Sequence, residues 1–194
     1  MGWKKGTKIM RVISGSARGR RLKELQGTDT RPTTDKVKEA LFNIIQFDLE
    51  GRTVLDLFGG TGQLGIEALS RGAVDCTFVD QRREAAGLIR ENLKVCGLSE
   101  QARVVQGDAL SFLASCREKF DVIFLDPPYQ TDLLARCLES ITRFDILREH
   151  GIIACESAAE RDLPLLAPPY EQGRAYRYGR IKLTICHRAG SERV

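Results

Sequence analysis

The sequence predicts an α/β three-layer sandwich: a mixed seven-stranded sheet with helices on both faces, an antiparallel C-terminal hairpin, and a small N-terminal β-hairpin arm. Three observations lead there. After residue 50, short apolar runs alternate with amphipathic segments. The apolar runs are nearly continuous, as strands of a parallel sheet buried on both faces require. Near the C-terminus the alternation stops, and 175–188 reads as two strands joined at Gly179, an antiparallel pair.

The elements follow in order. "RVISGSARGRRLKEL" (11–25) has Gly15 and Gly19 between short apolar ends and reads as a small hairpin carrying basic charge. "TTDKVKEALFNIIQF" (33–47) is an amphipathic helix with Val37, Leu41, Ile44 and Ile45 on one face and Thr33 or Thr34 as cap. "TVLDLF" (53–58) is a strand, and "QLGIEALSRG" a helix stopped by Gly72. "CTFVD" (76–80) is the next strand, followed by a helix over "RREAAGLIRENLKVCG" with Gly97 as C-terminal cap. "ARVVQGD" (102–108) is a third strand, followed by a short helix over "ALSFLAS". "DVIFLD" (121–126) is a fourth, "TDLLARCLESI" a helix capped by Thr131 or Asp132, and "GIIACES" (151–157) a fifth strand.

Composition excludes several classes. With 194 residues, 42% hydrophobic and 29% charged, the chain is a globular domain with a substantial core. No apolar run approaches the roughly 20 residues of a membrane span. The basic N-terminus lacks the apolar segment of a signal peptide, so a cytoplasmic protein is expected. Six cysteines without a Cys-x-x-Cys pair, and only two histidines, argue against a metal site. Buried free thiols are the expectation for Cys76, Cys155 and Cys186. The net charge of +4 is uneven: residues 1–31 carry +7, which leaves −3 for the rest. A basic arm on a mildly acidic body suggests a polyanionic partner.

The chemistry concentrates at strand ends. "DLFGGTGQLG" (56–65) joins the first strand to its helix, where glycines admit a ligand close to the backbone and the helix start offers free N–H groups. The G-x-G-x-x-G spacing of Gly60, Gly62 and Gly65 also occurs in nicotinamide-binding folds. Asp56 discriminates: a carboxylate there repels a pyrophosphate but suits an ammonium, which favours S-adenosylmethionine. Asp80 ends the second strand, where an acid accepts from ribose hydroxyls. Asp108 ends the third, placed to accept from an adenine amine, to cap the next helix, or both. Asp126-Pro127-Pro128-Tyr129 follows the fourth strand. Asp126 and the Pro127 carbonyl together can accept both hydrogens of an exocyclic amine, and Tyr129 offers a face for stacking a base.

With "RVISGSARGRRL", "TRPTTDKVKEALFNI", "VLDLFGGTGQLGIEALSRGA", "GDAL" and "FLDPPY" in place, residues 10–188 resemble the RsmD family of small-subunit ribosomal RNA guanine-N2 methyltransferases. The resemblance implies the Rossmann-like class I methyltransferase fold, with 1–31 as the basic arm and 32–194 as the methyltransferase domain. It implies that Asp56, Phe58, Gly59, Gly60, Thr61 and Gly62 cradle the methionine part of S-adenosylmethionine, Asp80 the ribose, and Asp108 and Ala109 the adenine. Asp126, Pro127, Pro128 and Tyr129 would hold the target base. Arg18, Arg20, Arg21, Arg31 and Thr33 would face RNA. Gly60, where alanine is expected, and Gln63, usually a small residue, depart from the pattern. The implied activity is methylation of guanine 966 of 16S rRNA in assembling small subunits, by a monomer without metal.

Three other readings stay open on the residues alone. The tetrad serves any exocyclic amine, so a DNA adenine-N6 or cytosine-N4 methyltransferase is one, against which the lack of room for a DNA-reading domain argues. A nicotinamide-dependent oxidoreductase is opposed by Asp56. A non-catalytic RNA-binding assembly factor is opposed by the intact tetrad.

Overall fold

In a computed structural model, which describes residues 10–25, 35–129 and 131–190, the apolar runs assemble into one seven-stranded sheet. Its strands are β1 (Thr53–Asp56), β2 (Asp75–Asp80), β3 (Ala102–Gln106), β4 (Phe120–Leu125), β5 (Leu147–Ala158), β6 (Tyr170–Tyr178) and β7 (Ile181–Arg188). Their order is β3-β2-β1-β4-β5-β7-β6, with the first five parallel and β7 antiparallel to both β5 and β6.

The helices are α1 (Asp35–Ile44), α2 (Gln63–Ser70), α3 (Arg83–Cys96), α4 (Ala109–Ser115) and α5 (Leu133–Phe144). The pleat divides each strand between two cores. Val54, Val122, Phe124 and Ile152 join the side covered by α1, α2, α3 and the arm. Leu55, Ile123, Leu125 and Ile153 join the side covered by α4 and α5. Gly97 caps α3 in the left-handed conformation, and its N–H reaches back to the Lys94 carbonyl. Cys76, Cys137, Cys155 and Cys186 are buried free thiols, while Cys96 and Cys116 are half-buried.

Some boundaries differ from the sequence reading. β1 stops at Asp56, not at residue 58, because the glycine loop leaves the sheet there. β3 likewise ends at Gln106, two residues short of Asp108. β5 begins four residues earlier than the apolar run, through the polar Leu147–His150 stretch, where its register to β4 shifts. β6 begins at Tyr170, five residues before the expected start; a register shift between Gln172 and Ala175 accommodates Gly173, which a Cβ would bring within 2.8 Å of the Ile185 carbonyl. The caps expected at Thr33 and Thr34 lie outside the described residues, and Asp132, not Thr131, occupies the cap position of α5.

The arm is hairpin-like but short. Arg11 and Arg21 form an antiparallel bridge, flanked by Val12 N–H to the Arg20 carbonyl at 3.0 Å and Leu22 N–H to the Met10 carbonyl at 2.9 Å. It has no core of its own: Met10, Val12, Ala17 and Leu22 are buried in the same cluster as α1, α2 and α3. Gly15 has φ +80°, and a Cβ there would stand 1.7 Å from the Ser70 carbonyl oxygen, so only glycine lets the arm lie flat on α2.

Charge anchors the arm as firmly as packing. Glu67, fully buried on α2, accepts Ile13 N–H at 2.7 Å and Ser14 N–H at 2.9 Å. Arg71 Nε donates to it at 2.9 Å, and the buried Lys38 ammonium stands 3.8 Å away while donating to the Arg11 carbonyl at 2.8 Å. Removing one partner of a buried ion pair leaves an uncompensated charge. Glu67→Ala should therefore lower stability by about 3–5 kcal/mol in urea unfolding, with little change in slope. A loss below about 1 kcal/mol would show that Glu67 does not organise this face.

Candidate active site

The carboxyl ends of β1 and β4 lie side by side where the strand order reverses, with β2 on the other side of β1. Open α/β sheets bind ligands at such a switch point. The glycine loop leaves β1 and folds over the end of β2: Gly59 N–H donates to the Val79 carbonyl at 2.9 Å. Gly62, at φ 81°, then starts α2. Gly65 has a different task from the other two glycines. A Cβ there would stand 2.3 Å from the Phe78 ring, so this glycine lets α2 pack against β2.

Asp56 is buried, and its Oδ2 accepts Gly65 N–H at 3.0 Å. Loss of solvent raises its pKa from 3.8 to about 7, against the lowering effect of that hydrogen bond, with nearby Asp80 adding to the rise. Gln63 Oε1, at the start of α2, is buried and has no hydrogen-bond partner among the described residues. A buried carboxyl at the end of β1 and a buried acceptor at the start of α2 with no donor among the described residues suit a ligand with an ammonium group.

Asp80 is buried at the end of β2 and holds the loop in place. Its Oδ2 accepts Gly60 N–H at 2.9 Å, and its two oxygens accept from Arg82 Nε at 3.1 Å and Nη2 at 3.0 Å. Oδ1 also accepts Arg82 N–H at 2.9 Å, so four bonds fill the roughly four lone-pair sites of this carboxylate, and a ribose hydroxyl would have to take the place of the Arg82 guanidinium. Asp108 caps α4 by accepting both Ser111 N–H at 2.9 Å and the Ser111 hydroxyl at 3.0 Å, and these bonds hold its pKa below the usual value. Ala109 is buried beneath it, and Phe58 packs at the edge of the same core.

The tetrad occupies the turn after β4. Asp126 is half-buried, Pro127 buried, Pro128 exposed and Tyr129 half-buried. The Pro128 carbonyl accepts the Thr131 hydroxyl at 2.8 Å, whereas no such bond reaches the Pro127 carbonyl among the described residues. Two residues missed in the sequence shape this turn. Glu156, buried near the end of β5, accepts the Tyr129 hydroxyl and so orients the ring. Arg161 Nη1 donates to the Tyr129 carbonyl at 3.1 Å and also to the Thr131 carbonyl. The only sequence signal for Glu156 was an acid inside an apolar strand. Arg161 gave none.

On the arm, Arg18, Arg20 and Arg21 are exposed; Arg31 and Thr33 lie outside the described residues. No group of three or more His, Cys, Asp or Glu is arranged to hold a metal ion, and no helix is long and apolar enough to cross a membrane, among the described residues.

A mixed seven-stranded sheet of this order, with a glycine loop after β1 and an Asp-Pro-Pro-Tyr turn after β4, defines a class I, Rossmann-like methyltransferase. Residues 10–187 match the family model described as "Conserved hypothetical protein 95", and the chain belongs to that family, the RsmD family. It is 44% identical to "Putative rRNA methyltransferase YlbH" of Bacillus subtilis, over 93% of this chain and 100% of that one. It is 33% identical to Ribosomal RNA small subunit methyltransferase D of Escherichia coli, over 94% of this chain and 92% of that one. The solved structure "Putative methyltransferase yhhF" of Escherichia coli superposes with a TM-score of 0.84 at 33% identity, over 93% of this chain and 98% of that one.

The Asp56 environment has a measurable consequence without any ligand. Its folded pKa lies above the ordinary value, so the native state keeps a proton that the unfolded chain has released. That contribution to stability is full below about pH 4 and is lost as the pH rises through about 7. The melting temperature of the wild type should therefore fall between about pH 5 and pH 8 relative to Asp56→Asn, which has nothing to titrate. Parallel curves for the two proteins would remove Asp56 as the source.

Proposed function

We propose that this chain transfers a methyl group from S-adenosylmethionine to the exocyclic N2 amine of a guanine in small-subunit ribosomal RNA. The observation that carries this reading is the adjacency of the Asp56 glycine loop and the Asp126–Tyr129 turn at neighbouring strand ends. A loop suited to an ammonium-bearing nucleoside and a turn suited to a planar amine then stand at neighbouring strand ends.

Asp56 and Gln63 would hold the amino-acid end of the cofactor, Asp80 its ribose, and Asp108 with Ala109 its adenine. The bound cofactor supplies an electrophilic methyl on a sulfonium. Asp126 and the Pro127 carbonyl accept the two amine hydrogens, which turns the nitrogen lone pair out of conjugation with the ring. Tyr129, held by Glu156, stacks on the flipped base. Asp126 also stabilises the positive charge that develops on nitrogen during attack. The relatives named for small-subunit rRNA support the polymer, and the exposed arginines of the arm suit its phosphates. The family resemblance points to guanine 966 of 16S rRNA in assembling small subunits in the cytoplasm.

Incubation with labelled S-adenosylmethionine and rRNA, small-subunit particles or DNA, followed by digestion to nucleosides, tests the reading. Label should appear in N2-methylguanosine; label in N6-methyladenine or N4-methylcytosine of DNA would overturn it. Asp126→Ala should lower the single-turnover rate by about a hundredfold or more, equivalent to roughly 2.7 kcal/mol, with little change in cofactor affinity. A wild-type rate in that variant would eliminate the amine clamp.

The arm generates a separate expectation. Replacing Arg18, Arg20 and Arg21 together by Ala should weaken RNA binding and reduce its salt slope by up to about two to three units. Cofactor affinity in the absence of RNA should hold. An unchanged slope would mean that these arginines do not meet phosphate.

A further inference from the structure

One side chain joins the arm to the glycine loop. Asn92, on α3, is completely buried and has no part in the reading above. Its Oδ1 accepts Lys23 N–H at 2.8 Å. Its Nδ2 donates to the Lys23 carbonyl at 3.1 Å and to the Thr61 carbonyl at 2.8 Å. Lys23 belongs to the arm and Thr61 to the glycine loop, so one amide plane serves both. A second contact runs the same way: the Thr61 hydroxyl lies 3.3 Å from Met10 Sδ.

We infer that Asn92 is a positioning residue that couples the seating of the arm to the geometry of the glycine loop, so that RNA on the arm and cofactor in the loop strengthen each other's binding. The inference rests on the function proposed above. Lifting the arm removes both Lys23 partners from a buried amide, at a place closed to water. The amide then turns towards new partners, and the Thr61 carbonyl loses its anchor. In the other direction, a loop held by ligand fixes the Thr61 carbonyl and the plane of the amide, which presents Oδ1 and Nδ2 to Lys23 in the geometry that seats the arm. Linkage requires the two effects to be equal.

The test measures S-adenosylhomocysteine affinity by calorimetry, with and without saturating small-subunit rRNA. In the wild type, RNA should tighten S-adenosylhomocysteine by about fivefold or more, within the usual range of such couplings. Asn92→Asp keeps an acceptor for Lys23 N–H but sets an oxygen against the Thr61 carbonyl. Its ratio should fall to about one while each ligand still binds alone. A purely structural tether would lower melting temperature or both affinities and leave the ratio untouched. A folded Asn92→Asp protein with the wild-type ratio, or a wild type with a ratio of one, overturns the inference.

Hydrogen exchange on the wild type decides the matter if the variant does not fold. S-adenosylhomocysteine alone should slow exchange of the Ile13 and Lys23 amides, and unchanged exchange there overturns the coupling. If S-adenosylhomocysteine does not bind at all, the proposed function fails, and the coupling with it. Binding with no effect on the arm refutes the coupling alone.

Discussion

Glu67 is a carboxylate with no access to water, in the middle of a helix that packs on the sheet. Such a group survives only if its lone pairs are filled and its charge is matched. The molecule meets that demand from three directions: backbone N–H groups of Ile13 and Ser14, the Arg71 side chain, and the buried Lys38. Satisfying one charge therefore brings the arm, α1 and α2 into one arrangement. α2 begins just after Gly62 of the glycine loop, so the same constraint sets where that loop ends. The arm belongs to the fold of the site by this route, although its exposed arginines face outward.

The site itself is built at some cost to the fold. Asp56 is buried, and loss of solvent raises its pKa to about 7. Burial of this acid weakens the protein as the pH rises through that value, and under the proposed function a ligand ammonium would reverse the penalty. Tyr129 is treated differently. Its hydroxyl is matched by the buried Glu156, so its ring is oriented before any base arrives. Preorganisation of this kind reduces the ordering cost that base capture would otherwise carry. Under the proposed function, one strand end thus holds a buried acid for the cofactor, and its neighbour a prearranged face for the base.

The order of the elements, the parallel sheet and the strand-end acids were readable in the sequence, because each depends on local pattern. Apolar runs report strands buried on both faces, Gly97 reports a left-handed helix end, and Asp108, just before an apolar run, offers a cap. The glycine loop and the tetrad were legible for a related reason: their chemistry lies in consecutive residues. The early starts of β5 and β6 were not, since polar or glycine-containing stretches become strand only when a neighbouring strand pairs with them.

Tertiary structure alone decided what lies far apart in the chain. Lys38 reads as a polar position on an amphipathic helix, yet it is buried because Glu67 and the Arg11 carbonyl meet it there. Glu156 is 27 residues from Tyr129, and Asn92 is 69 from Lys23. No periodicity or motif records such pairs, because the partners meet only after the sheet has placed their elements side by side. The sequence by itself determined the fold class and which residue types stand at the strand ends. The packing of α2, α3 and the arm determined how those residues are held and connected, since buried charges and amides take their partners from whatever chain the fold brings against them.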